Sequence, residues 1–198
     1  WIALLDSDDA WLPSKLEKQL KANRKYPGHR LLHTNELWYR RGKRVNQMKK
    51  HEKRGGNIFE YCLKLCCISP SSVLIKKSLF EDVGQFDENL PACEDYDMWL
   101  RVCAREPVLY IDEPLTIKHG GHEDQLSTKN WGMDRFRIKS LEKILLEKRL
   151  TQDQEVAAQE ILVSKLKILI TGAVKRDNKD IIEQYSEKLE KWNNEILQ

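Results

Sequence analysis

An apolar run, Trp1-Ile2-Ala3-Leu4-Leu5, ends in Asp6-Ser7-Asp8-Asp9, placing three carboxylates within four residues of what reads as a buried strand. Crowded carboxylates repel, and a divalent cation or a cationic ligand relieves that repulsion. Oxygen-only ligands suit Mg2+ or Mn2+. The end of a strand is also where open α/β sheets place their ligands. The competing reading is a helix cap, with Asp8 or Asp9 preceding a helix that begins near Pro13. A cap uses one carboxylate, and three are present.

A chain of 198 residues accommodates one full domain, or one domain and a small appendage. With 33% charged residues and a net charge of +3, the overall balance calls for no nucleic-acid partner. No apolar run reaches bilayer length, and the start has neither a methionine nor the pattern of a signal sequence. The chain is therefore expected to be soluble and to lack its beginning. Cys62, Cys66, Cys67, Cys93 and Cys103 lack paired C-x-x-C spacing, so reduced thiols in a cytoplasmic protein are expected. Cys62 and Cys66, four apart, are expected to share a helix face.

Periodicity predicts a helix from Pro13 to about Lys25 with Leu16 and Leu20 on one face. Strands are expected at 30–34, 37–41, 72–77 and 108–111, the last stopped near Pro114. Helices are expected at 78–83, ending at Gly84, and at 94–105. Beyond residue 128 the pattern turns helical. One helix carries Phe136, Leu141, Ile144 and Leu145; a second opens with the capping box Thr151-Gln152-Asp153-Gln154; a third carries Tyr185, Leu189 and Trp192. The basic stretch from Arg40 to Arg54 interleaves no aromatics with its lysines and reads as a solvated hairpin and loop, with a secondary reading as an attractor of diphosphates or acidic head groups.

A second acidic cluster, Glu94-Asp95-Tyr96-Asp97, opens a helix. A cap explains one of its acids. If it faces the strand end, one cluster could hold a cation while the other takes a proton from a nucleophile.

Four motifs in order carry a resemblance: Leu-Leu-Asp-Ser-Asp-Asp-x-Trp (4–11), Ser-Pro-Ser-Ser (69–72), Val-Gly-x-Phe-Asp-Glu (83–88) and Glu-Asp-Tyr-Asp-x-Trp-Leu-Arg (94–101). Over residues 1–128 the chain resembles family 2 glycosyltransferases of the GT-A fold. The resemblance implies an α/β fold, a partial GT-A mixed sheet with flanking helices, followed by a helical carboxyl-terminal extension over 129–198. It implies inverting transfer of a sugar from a nucleotide-diphosphate donor, UDP-sugar first, to a carbohydrate or lipid-linked acceptor, in cell-envelope polysaccharide or lipopolysaccharide synthesis. Work at the inner face of the cell membrane, by peripheral association, belongs to the same implication.

By the same resemblance, Asp8 is the main Mg2+ or Mn2+ ligand, and Asp6 contacts the metal shell or the ribose. Asp95 is the general base and Glu94 shapes the acceptor site, with Glu94 and Asp97 tuning the base by repulsion. Lys118 and His119 assist the diphosphate or the metal, with His122 the second choice to His119. Because this fold builds its nucleotide pocket on strands that precede the acidic one, the chain is expected to be part of a longer enzyme. The alternative is a remnant acting as a metal- or partner-binding protein.

Overall fold

Leu31–Arg40 is the spine of the sheet, and its neighbours explain most of what surrounds it. The computed structural model describes residues 1–121 and 131–196. In chain order the first unit, Trp1–Lys129, contains β1 (Ile2–Ala3), β2 (Ala10–Trp11), α1 (Lys15–Lys25), β3 (Leu31–Arg40), β4 (Lys43–Val45), α2 (Phe59–Lys64), β5 (Leu74–Ile75), α3 (Lys77–Val83), α4 (Glu94–Cys103) and β6 (Leu109–Gly120). The sheet runs β1-β5-β3-β6-β2, with β4 hairpinned onto β3. Among the described residues only β3 and β6 pair in parallel, so the sheet is mixed.

Several expected boundaries move. The two strands expected at 30–34 and 37–41 are one, and β6 continues through Pro114 to Gly120. Pro114 lacks an N–H, and the register slips opposite it, around Asn35, so that pairing resumes from Glu36↔Thr116 to Arg40↔Gly120. The 72–77 strand shrinks to Leu74–Ile75, preceded by a tight 3-10 turn at Pro70–Ser72. The opening apolar run is not buried. Trp1, Ile2 and Leu5 are well exposed, because β1 lies at the sheet edge with β5 as its partner.

Helix α1 inverts its expected face. Leu16 and Leu20 are 39% and 38% exposed, whereas Lys15 and Gln19 are 1% and 0% exposed. Lys15 Nζ donates to Gln19 Oε1 (3.0 Å) and Val73 O (3.5 Å), and sits 4.4 Å from the Trp11 ring. Gln19 Nε2 donates to Ser72 O (3.0 Å) and Leu32 O (3.5 Å). Burial holds the Lys15 ammonium down, to a pKa of about 8.

The core beneath the sheet gathers Leu31, Leu32, Ile68, Leu79, Met98 and Trp99, all nearly inaccessible. Cys62 and Cys66 do not share a helix face, since α2 ends at Lys64 and Leu65 is extended. Cys62 instead meets Cys67 (3.0 Å) and Cys103 (3.7 Å); all five cysteines are free thiols, four of them buried.

The second unit, Asn130–Gln198, contains α5 (Asp134–Leu146), α6 (Gln152–Val174) and α7 (Lys179–Ile196), with α6 packed on both others. Phe136, Leu141, Ile144 and Leu145 are buried as expected, as are Leu166, Tyr185 and Trp192, while Val156 is exposed. The capping box forms: Gln154 N donates to Thr151 Oγ1 (3.3 Å) and Thr151 N to Gln154 Oε1 (3.0 Å). Among the described residues, no helix is long and apolar enough to cross a membrane.

Candidate functional site

Between β1 and β2 the chain turns, with Asp9 N donating to Asp6 O (3.1 Å), before Ala10 and Trp11 pair with Ile117 and Thr116. Ser71, wholly buried, holds both ends of this turn. Its Oγ accepts from Asp6 N (3.0 Å), and its carbonyl accepts from Trp11 Nε1 (2.7 Å). The Ser-Pro-Ser-Ser motif is therefore the brace under the acidic turn. Carboxylate oxygens of Asp6, Asp8 and Asp9 lie within 4.8 Å of one another. Asp6 and Asp8 are exposed, while the Asp9 carboxylate forms the floor with a side chain 1% accessible.

His119 lies near the end of β6, beyond the strand end expected near Pro114. Its backbone N–H donates to Asp9 Oδ1 (3.0 Å), and its Nδ1 is 2.9 Å from Asp8 O. A carbonyl oxygen only accepts, so this bond assigns the proton to Nδ1 and leaves the Nε2 lone pair available. His119 is not in the close carboxylate group itself; it fixes two members of that group. His122 lies outside the described residues.

The donor set suits a hard cation. It is all oxygen, it is close-set, and the buried Asp9 Oδ2 has no hydrogen-bond partner, with Lys118 Nζ 4.0 Å away. Burial raises the Asp6 pKa, the Lys118 charge partly offsets this, and Asp9 and Asp8 add to the rise. A divalent ion would remove the carboxylate repulsion.

Lys118 belongs to a chain of alternating charge. Burial works against its ammonium, yet Glu36, Asp9 and Asp6 together hold its pKa above the ordinary value. Glu36 is buried; its Oε2 accepts from Trp38 Nε1 (2.8 Å) and pairs with Lys53 Nζ at 3.3 Å. Burial opposes the Glu36 carboxylate, but Lys53, Ser69 and Lys118 keep its pKa below the usual range. Lys53 also donates to Cys67 O (3.0 Å) and Ser69 Oγ (3.2 Å), so this lysine of the basic stretch is not solvated.

The second acidic cluster splits into two roles. Asp97 is committed to Arg101, whose Nη2 lies 2.7 Å from Asp97 Oδ2 and whose guanidinium also donates to the carbonyls of Val83 and Gln85. Between those carbonyls Gly84, at φ 84°, ends α3. The Val-Gly-x-Phe and Glu-Asp-Tyr-Asp-x-Trp-Leu-Arg motifs thus lock together, with Phe86 edge-on to Trp99 at 6.1 Å. Neutralised in this way, Asp97 does not supply the repulsion expected of it. Asp95 Oδ1 accepts from Tyr96 N (2.7 Å), and its Oδ2 accepts from the Cys66 thiol (3.0 Å). Burial, and then Asp95, push the Cys66 thiol well above its ordinary range.

The two clusters share one electrostatic field. Burial raises the Glu94 pKa, and the charges of Asp95 and Asp6 raise it further. Asp6, Asp8, Lys118 and His119 therefore gather at one place, with Glu94 electrostatically coupled to it and Asp95 next to Glu94 at the start of α4. Cys66, Glu36, Lys53 and Ser71 were not anticipated as members. Ser71 stands in a quoted motif, but nothing in the sequence marks Glu36 as a buried partner.

No protein-family profile matches the chain. It is 32% identical over 139 residues to an uncharacterized glycosyltransferase of Rickettsia bellii and 30% identical over 139 residues to one of Rickettsia conorii, covering 65% of this chain and 19% and 22% of those proteins. An uncharacterized glycosyltransferase of Methanocaldococcus jannaschii is 28% identical over 120 residues, 60% of this chain and 41% of that protein. The chain thus spans about a fifth of the rickettsial relatives and two fifths of the archaeal one. Among solved structures, Staphylococcus aureus TarS 1–349, in complex with UDP-GlcNAc, superposes with a TM-score of 0.59 at 16% identity, over 83% of this chain and 47% of that one. The chain therefore has a mixed α/β fold like that of a glycosyltransferase, and its named relatives carry that same name.

Proposed function

We propose that this chain is the catalytic portion of an inverting glycosyltransferase that moves a sugar from a nucleotide-diphosphate donor, UDP-sugar first, to an acceptor hydroxyl. The observation that carries the reading is the close-set acidic turn of Asp6, Asp8 and Asp9, suited to a cation, with Glu94 at the start of α4 feeling the Asp6 charge and Asp95 beside it. The solved relative holds UDP-GlcNAc, which supports a nucleotide-sugar donor.

Asp8 and Asp6, with Asp9 as floor, would hold Mg2+ or Mn2+. Such an ion, when bound, offsets the negative charge that develops on a departing diphosphate. Lys118, kept cationic by Glu36, Asp9 and Asp6, adds positive charge at the same place. His119 holds the Asp8 carbonyl and the Asp9 carboxylate, leaving the Nε2 lone pair for the metal. Asp95 takes the proton of the acceptor hydroxyl as that oxygen attacks the anomeric carbon from the face opposite the leaving group. Glu94 borders the acceptor. Cell-envelope polysaccharide or lipopolysaccharide is the product class proposed with this reading.

Asp95→Asn in the whole enzyme tests it. Transfer is expected to fall by at least about a hundredfold while donor binding persists; normal transfer overturns the assignment. Calcium preferred over manganese, with no response to nucleotide sugars, would instead mark a metal-binding protein without transfer activity.

A further inference from the structure

Beside the acidic turn, the β3–β4 hairpin and the end of β6 enclose a cleft of about 600 Å³ lined by Trp38, Arg40, Met48, His51, Lys118 and His119, among others, with no acidic residue among the described residues of its wall. The hairpin turn is tight: Arg41 and Gly42 both have positive φ, 49° and 74°, which brings Val45 back opposite Trp38. Trp38 is fixed at one edge by its bond to Glu36 and lies 5.2 Å from the His51 ring, while Tyr39 lies 5.9 Å from the His119 ring. Met48 is 57% exposed and Val45 is 36% exposed. At position 121 a Cβ would fall 2.9 Å from Arg40 Cγ, so glycine there lets the arginine stem lie across the strand end.

This wall has two chemistries. Aromatic faces and a thioether suit the apolar C–H faces of a pyranose ring, which also needs polar edges for its hydroxyls. Along the hairpin and the loop after it one sign of charge prevails: from Arg40 to Arg54 the sequence carries eight Lys or Arg against one Glu. Lys53 and Arg54 are spent on Glu36 and Glu52, whereas Arg40 lines the cleft and Lys49 and Lys50 are exposed between Met48 and His51. A neutral glycan needs no such excess, and the planar guanidinium of Arg40 matches a phosphate or carboxylate.

We propose that this cleft binds an anionic saccharide, one bearing a phosphate or a carboxylate, as the acceptor side of the transfer. The inference rests on that transfer reading for the word acceptor, and on the cleft alone for the ligand class. Lys118 and His119 belong both to the cleft wall and to the acidic turn, so a glycan lying over Trp38 reaches the place where the donor diphosphate would be held.

The test is an NMR titration of the chain, without metal or nucleotide, using a maltotriose phosphate, maltotriose and inorganic phosphate. The Trp38 indole and His51 ring signals are expected to shift, with the phosphorylated trisaccharide binding at least about tenfold more tightly than either control. Arg40→Gln removes most of that preference and leaves maltotriose binding unchanged; Trp38→Leu weakens both saccharides. Equal binding of all three probes, or inorganic phosphate matching the phosphorylated trisaccharide, overturns the proposal. So does capture by phosphatidylglycerol vesicles through Arg40, Lys49 and Lys50 with no saccharide shift, which would make the surface a membrane contact. Manganese binding is read separately by Asp8→Asn, so loss of the metal reading and loss of the glycan reading are distinct results.

Discussion

At the turn after β1, Asp6, Asp8 and Asp9 face one another across less than 4.8 Å with one lysine close by; at the start of α4, Asp97 is clasped by an arginine that also binds two carbonyls. Both clusters look alike in sequence, three acids within four residues. What separates them is satisfaction. Asp97 is 2% exposed and its charge is matched by Arg101, so it serves the fold; the strand-end acids crowd one another, with Asp6 and Asp8 open to solvent, which is a state that invites a cation. Glu94 and Asp95 fall between, held at a helix start, with Glu94 coupled to the strand end.

Mutation should break this contrast most sharply at Asp97. Asp97→Ala leaves Arg101 buried and unpaired, and unfolding in urea should show a loss of about 3–5 kcal/mol. Replacing both, as Asp97→Leu with Arg101→Met, should recover a good part of it. Asp8→Asn should do the opposite, leaving the melting temperature unchanged or slightly raised while weakening Mn2+ by at least about tenfold in a calorimetric titration. Equal destabilisation by both substitutions would erase the distinction between the clusters.

Proton linkage sharpens it further. The Asp6 and Glu94 pKa values in the fold lie above their ordinary values of 3.8 and 4.5, so the stability these groups contribute is present below those values and is lost as pH rises through the raised ones. The same protons compete with metal, and Mn2+ affinity should fall on acidification before an ordinary carboxylate would titrate. Lys15 gives the reverse slope. Its folded pKa of about 8 lies below the ordinary 10.5, so its contribution is lost as pH falls through 8 and grows from there toward 10.5. In Lys15→Met that rise should flatten, as read by denaturation at a series of pH values. The smallest effect is expected at Thr151→Ala, which removes one arm of the capping box and should cost about 1 kcal/mol.

Local rules were legible where local forces decide. The capping box at Thr151, the stop at Gly84 and the helix at Glu94 are written in a few adjacent residues, and all form. The acidic turn was legible for the same reason. The face of α1 was not, because Leu16 and Leu20 fit an amphipathic pattern while the groove under the helix offers the carbonyls of Leu32, Ser72 and Val73 to Lys15 and Gln19. Nor was the length of β6: Pro114 reads as a stop, and only a register slip in a strand some eighty residues earlier lets pairing continue past it. Cys66 beside Asp95 and Glu36 beside Lys53 are juxtapositions made by tertiary structure. No spacing rule reaches across them.

The buried Lys15 and Gln19 also bear on how the molecule opens. A helix seated on carbonyl acceptors can lift from the sheet while exposing little hydrocarbon, so its detachment should carry a small dependence on denaturant and a small heat-capacity change. In native-state hydrogen exchange, the amides of α1 should report an opening whose free energy barely changes with added urea, whereas those of α4, sealed around Trp99, should follow the slope of global unfolding. The wall nearest the Trp11 end of the acidic turn would then be able to loosen without the core taking part.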